Sequence, residues 1–272
     1  MSRHCWEENL ARLQSRLDEY AKTNGLVATG SIFKKCGSLS QSLYLAHSTA
    51  DAKFSRVCES NRLCSPQRLH AEGIKPLATD SVEATLGTAN SVFFYAAPFR
   101  FPHTGCGFLF NHRLEQAHRD DGVAVPFDSG GLVNVFTRPN PAESAVEFLA
   151  RHELPLPEHR DYLRKSLEQL FAHPLDYLNG NDPRHPGPIG LTGGDRRRWT
   201  HEVRLPDQVY VKTGWLQALF IPVSRVADAP IQKMLRWCEH QGIDIESFHG
   251  SRENDFETLL RACVDYIHRK LL

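Results

Sequence analysis

One carboxylate, Glu202, stands inside the strand-like run Trp199-Thr200-His201-Glu202-Val203-Arg204-Leu205-Pro206. A loop over 179–195, punctuated by Pro183, Pro186, Gly187, Pro188, Gly190, Gly193 and Gly194, leads into it. With alternating side chains, Thr200, Glu202 and Arg204 share one face, and Trp199, His201, Val203 and Leu205 the other. A carboxylate in that setting can accept a hydrogen bond from a sugar 2-hydroxyl and favour an oxocarbenium-like transition state. The competing reading is a solvated outer face, which would leave Thr200 and Arg204 exposed along with Glu202.

Five other constellations carry potential chemistry. His47-Ser48-Thr49 ends an apolar strand just before a helix, where hydroxyls and backbone N–H groups can hold a nucleotide sugar or phosphate; an ordinary helix cap has the same residues. Phe94 and Tyr95, with Phe99 and Phe101, can sandwich a flat ring or fill core, and Tyr95 keeps a polar handle at the strand end. Asp128-Ser129-Gly130-Gly131 reads as a tight hairpin turn or as an anion cradle built from glycine N–H groups. His103, Cys106, His112 and His118 are zinc-ligand types without a zinc spacing, so no metal is expected. Arg196-Arg197-Arg198 can grip a pyrophosphate or a phosphorylated target, or be a solvated loop. There is no GxSxG, Walker loop or GxGxxG, so serine-hydrolase, P-loop and Rossmann readings lack support.

The elements that must position these residues can be read from periodicity. Trp6, Leu10, Leu13, Leu17 and Tyr20 predict a helix over 5–22 stopped by Gly25. Leu43–Thr49 reads as a strand, 51–61 as a helix, and 63–66 as an extended exit. Residues 71–90 read as loop, and Ser91–Pro98 as a central strand buried on both faces. Phe108–Phe110 predicts a strand and Arg113–Arg119 a helical turn; Val123–Phe127 and Leu132–Thr137 flank the turn at 128–131. Helices are expected within 141–178, strands around Glu202 and over 215–222, and two closing helices over 230–240 and 255–271.

The fold class predicted is α+β: one mixed domain over 1–272 with a split, antiparallel-rich sheet and flanking helices. Within it, 1–41 form an entry helix and segment, 42–222 the core, and 223–272 a closing helical pair. Lys plus Arg and Asp plus Glu balance at 32 each, so no global field recruits nucleic acid or membrane. Seven cysteines without regular spacing, and no apolar run of ~20 residues, predict a cytoplasmic protein with free thiols and no membrane partner.

Taken in order, a strand ending in His47-Ser48-Thr49, a helix, Arg62-Leu63-Cys64-Ser65-Pro66, an aromatic strand end at Tyr95 and a late-strand Glu202 resemble the ADP-ribosyltransferase-like proteins of the diphtheria-toxin and PARP type. The resemblance covers 42–222 as an order of elements. It implies a sheet split around NAD as substrate. His47 and Ser48, with Thr49, would hold the adenosine ribose, Tyr95 would stack on nicotinamide, and Glu202 would stabilise the ribosyl cation. It further implies a nucleic-acid or protein acceptor recognised by the 179–198 loop, a toxin or phage-defence role, and an inhibitor or antitoxin protein as partner. The Gln/Glu-x-Glu pattern of arginine-modifying members is missing, since Thr200 stands two residues before Glu202. Two alternatives share the scaffold: an NAD glycohydrolase, and a non-catalytic binding protein in which His47, Tyr95 and Glu202 do not converge.

Overall fold

A computed structural model describes residues 3–27, 44–49, 51–74, 80–96, 106–185, 187–249 and 256–270. Ten strands are present among them: β1 Leu45–Thr49, β2 Arg62–Cys64, β3 Ser91–Ala96, β4 Cys106–Phe110, β5 Val123–Val125, β6 Leu154–Pro155, β7 Glu202–Pro206, β8 Gln208–Tyr210, β9 Leu216–Pro222 and β10 Asp244–Phe248. Eight form one sheet in the order β10-β9-β4-β1-β3-β7-β5-β6, and β2 pairs with β8 apart from it. Every described pairing is antiparallel except β9 with β10.

Helices cover both faces of the sheet. On one side Leu13 and Leu17 of helix Arg3–Thr23, Phe148 of Ala145–His152, Tyr162 and Leu167 of Leu156–Leu170, and Leu259 and Tyr266 of Phe256–Lys270 join one buried cluster. On the other, Phe54 and Cys58 of Asp51–Ser60 and Ile231, Met234 and Cys238 of Ala229–Gln241 join a second. The first helix forms because its apolar residues recur every three and four positions. It ends where Gly25 takes φ 62°, letting the Leu26 N–H reach the Ala21 carbonyl at 2.8 Å. In the second cluster Phe108 is fully buried between the rings of Phe54 and Phe110, at centroid distances of 5.3 and 6.3 Å. Phe108→Ala is expected to cost ~3–5 kcal/mol by leaving a cavity, read as a lower urea midpoint at unchanged slope.

The split expected in the sheet lies between β1 and β3. β1 pairs with β4 along its whole length, Leu45↔Phe110 to Thr49↔Cys106. With β3 it shares only Leu45↔Ala96 and Ala46↔Tyr95. Beyond Ala46, β1 follows β4, while β3 stays with β7 down to Ser91↔Pro206. The two backbones part, and a gap opens in the middle of the sheet. β3 is therefore not buried on both faces. Val92, Phe94 and Ala96 are buried, but Ser91, Phe93 and Tyr95 are half-buried beside the gap.

Other expectations are corrected. The 71–90 stretch contains helix Asp80–Leu86, and Pro66–Ala71 is a helix whose first turn is capped by the Ser65 hydroxyl accepting from the Arg68 N–H at 3.2 Å. The 128–131 turn does not join a hairpin: Gly131–Asn134 is one helical turn, and Thr137 bridges to Thr192. The closing helices are separated by β10, whose half-exposed residues Asp244, Ile245 and Glu246 gave no clear alternation. Phe99, Phe101 and His103 lie outside the described residues. No helix among the described residues is long and apolar enough to cross a membrane. Five cysteines among them, Cys58, Cys64, Cys106, Cys238 and Cys263, are free thiols.

Candidate active site

The gap between β1 and β3 is the floor of a cleft of about 230 Å³ whose lining includes His47, Ser48, Tyr95, Asp128, Arg197 and Glu202. Three strands supply its core. Register sets Tyr95 directly opposite Glu202 on β7 and Ala46 on β1, so Tyr95 and Glu202 project from one pleat face. His47 is one residue on from Ala46 and belongs to the other pleat face. The departure of β3 lets it reach the same cleft. Its Nδ1 lies 2.7 Å from the Phe93 carbonyl, bridging the two diverging strands. That oxygen can only accept, so Nδ1 carries the proton and Nε2 is left with a lone pair. Burial holds the His47 pKa down to about 4, with Lys53 adding to the effect against the bond to Phe93, so the ring is neutral at physiological pH.

Glu202 is buried, with 3% of its surface exposed. Its neighbours on the strand are buried too: Thr200 0%, His201 5%, Arg204 4%. The solvated-face reading required Thr200 and Arg204 to be exposed, and it fails. The carboxylate is held by Ser129, whose backbone N–H donates to Oε2 at 3.1 Å and whose hydroxyl donates to Oε1 at 2.6 Å. Arg204 Nε stands 3.7 Å from Oε1. Burial and the charge of Asp128 push the Glu202 pKa up to about 8, against Arg204 and the two bonds from Ser129. Tyr95 is driven well above the ordinary phenol value by burial and by the charges of Asp128 and Glu202, so its hydroxyl stays protonated.

The loop carrying Ser129 was legible only as a turn or an anion cradle. Its glycines serve a different end, allowing a close approach to the core. A Cβ on Gly131 would meet the Phe136 ring at 2.2 Å, so only glycine fits there. Asp128 accepts from the Gly130 N–H at 3.0 Å and its own N–H donates to the Arg197 carbonyl at 2.9 Å, which ties the loop to the turn before β7. That turn is the 3₁₀ helix Arg196–Trp199, started by Asp195 accepting from the Arg197 N–H at 3.0 Å. Of the three arginines, only Arg197 is among the described lining residues; the Arg198 guanidinium stacks on Trp199, 4.7 Å from the ring centroid.

Among solved structures the chain is similar to Thermus sp. 2.9 DarT in complex with ADP-ribosylated ssDNA. The TM-score is 0.45 at 9% identity, over 75% of this chain and 92% of that one. No protein-family model matches the chain, and no curated protein does.

The sequence candidates separate as follows. His47, Ser48, Tyr95 and Glu202 share the cleft. Thr49 does not line it: it is buried opposite Cys106, at the end of β1 that stays with β4. Of the zinc-type residues, Cys106 is fully buried and His118 Nδ1 bonds the Asp121 carboxylate at 3.0 Å. Among the described residues no three or more His, Cys, Asp or Glu side chains are grouped to hold a metal ion. His201, beside Glu202 in the chain, contacts a different set of groups. Its Nδ1 is 2.9 Å from His159 Nε2, and its carbonyl accepts from the Ala96 N–H at 2.9 Å, which anchors the start of β7 to the end of β3. Periodicity placed His201 away from Glu202 but gave no sign of its partner on helix Leu156–Leu170.

Proposed function

We propose that the chain is an NAD-dependent ADP-ribosyltransferase that cleaves the bond between nicotinamide and ribose and transfers ADP-ribose to a nucleic-acid or protein nucleophile. The observation that supports this reading is the convergence of His47, Tyr95 and Glu202 on one cleft at a split in the sheet. A non-catalytic protein on the same scaffold has no need of a buried, hydroxyl-clamped carboxylate there.

In this reading the Tyr95 ring packs on nicotinamide, and the lone pair on His47 Nε2 accepts a hydrogen bond from a hydroxyl of the adenosine ribose, with Ser48 beside it. The Glu202 carboxylate accepts from the 2-hydroxyl of the nicotinamide ribose and faces the carbon on which positive charge develops. The bond from that carbon to the pyridinium nitrogen breaks, and its electron pair leaves with neutral nicotinamide. The acceptor lone pair then attacks the carbon and its proton is released. Arg197, in the same lining, supplies positive charge for the pyrophosphate.

The test is release of nicotinamide from NAD labelled in the adenylate moiety, with label capture on single-stranded DNA, RNA or protein extract. Release together with label on one acceptor class is expected. Release without capture on any of them would make the chain a glycohydrolase, and no release under any condition would overturn the enzyme reading. The neutral His47 yields a further expectation. His47→Ala raises the KM for NAD by ~10-fold, the worth of one hydrogen bond, and the ratio of mutant to wild-type KM stays flat between pH 6 and 8. A ratio that changes steeply across that window would show a titrating imidazole instead.

A further inference from the structure

Arg204 is 4% exposed, and its guanidinium stands between two carboxylates. One terminal nitrogen donates to Glu153 Oε1, while Nε lies 3.7 Å from Glu202 Oε1 and has no hydrogen-bond partner among the described residues. Glu153 is fixed from outside the cleft. Its backbone carbonyl accepts from the Asn9 side chain at 2.9 Å, and the same amide group donates to the Ala150 carbonyl at 3.1 Å. Helix Arg3–Thr23 thereby clamps the chain just before β6. Both Asn9 and Arg204 are buried, at 2% and 4%, and the Glu153 side chain that links them is 17% exposed.

We propose that Arg204 is the positioning residue for Glu202: clamped by Glu153, its guanidinium is held 3.7 Å from Oε1, where its buried positive charge offsets the negative charge of Asp128. The role rests on the functional reading above only for its effect on catalysis. The charged and titratable groups around Glu202 are few. Asp128 comes from the loop before Gly131–Asn134, Arg197 from the 3₁₀ turn, Tyr95 from β3 and Arg204 from β7; the β5 partner, Val125, is apolar. Asp128 opposes ionisation of Glu202 and Arg204 favours it. Arg197 donates from its Nε to the Asp195 carboxylate at 2.9 Å and also feels the charge of Asp128, whereas Arg204 places its Nε 3.7 Å from Glu202 itself. Glu153 draws on the same guanidinium and divides its field.

The two partners of Arg204 therefore give opposite expectations. The side-chain carboxyl ¹³C resonance of Glu202, assigned by its loss in Glu202→Gln, is titrated in the full-length chain. Arg204→Gln raises the midpoint by at least one pH unit, a tenfold change in proton affinity typical of a lost neighbouring charge. Arg204→Lys, which keeps the charge, recovers part of the shift. Glu153→Gln, which leaves the guanidinium wholly to Glu202, lowers the midpoint. The half-point of the pH profile of kcat/KM for nicotinamide release moves in the same direction in each variant. A merely structural Arg204 would change thermal stability and leave these midpoints alone. An unmoved midpoint in Arg204→Gln, or an unmoved or raised one in Glu153→Gln, overturns the proposal; the second variant decides if the first does not fold. Shifted midpoints in a protein that releases no nicotinamide would uphold the role of Arg204 and overturn the transferase reading instead.

Discussion

Replacing Glu202 with Gln is expected to lower nicotinamide release by ~10²–10³-fold, the usual cost of removing one group aimed at developing charge in the transition state. The change is nearly isosteric: an amide oxygen at the Oε2 position still accepts from the Ser129 N–H, and the amide NH2 at the Oε1 position donates to the Ser129 hydroxyl, which rotates to accept. The fold is therefore expected to survive, so the loss would be in kcat. Stability gives an independent check with a definite sign. The native state raises the Glu202 pKa to about 8, so it binds the proton more tightly than the unfolded chain does. That stability is fully present below the unfolded value of ~4.3 and is lost as pH rises through about 8. A neutral Gln has no such loss, so the difference in Tm between Glu202→Gln and wild type should move in favour of the variant between pH 5 and 9. A difference that is constant with pH would show that Glu202 is ionised throughout. In wild type, kcat/KM should rise to a half-point near pH 8, which reports the free enzyme. The half-point of kcat should fall lower, because the bound pyridinium cation favours the carboxylate. Equal nicotinamide release by wild type and Glu202→Gln would overturn the role assigned to Glu202.

The second large effect is expected at Ser129. Its hydroxyl makes the shorter of the two bonds to Glu202, 2.6 Å, and Ser129 itself is 1% exposed. A hydrogen bond to a charged group contributes ~1.5–3 kcal/mol. Ser129→Ala keeps the backbone N–H donor and loses that contribution, so activity at pH 7 should fall ~10–100-fold. The half-point of kcat/KM should shift upward, since a bond that favours the ionised form is gone. Activity that recovers at high pH would identify a charge effect. A loss independent of pH would mean that Ser129 only fixes the rotamer, and an unchanged rate would remove it from the site.

Much of this arrangement was open to sequence reasoning because it depends on local periods. The helix over 3–23 follows from Leu10, Leu13 and Leu17, and the strands over 45–49, 91–96 and 216–222 from apolar runs bounded by polar or Pro residues. The order of the hydroxyl-flanked His47, Tyr95 and Glu202 is likewise a property of the chain alone. Burial of Glu202 was not legible. A Thr-x-Glu-x-Arg alternation is what a wet strand face looks like, and only the placement of β7 between β3 and β5, under the Ser129 loop, removes the water. Thr49 shows the reverse case. It continues the His47-Ser48 pattern without a break, yet it stays with β4 and leaves the cleft to its neighbours.

By itself, the sequence determined an α+β chain and the residues with suitable chemistry, because side-chain type and period 2 or 3.6 are local properties. Tertiary structure decided which of them meet. Ser129 reaches Glu202 across 73 positions, and Glu153 reaches Arg204 across 51. Such contacts depend on strand order and on the point where β1 and β3 part. Pairing over two residues rather than five opens the cleft, and no local pattern encodes that divergence.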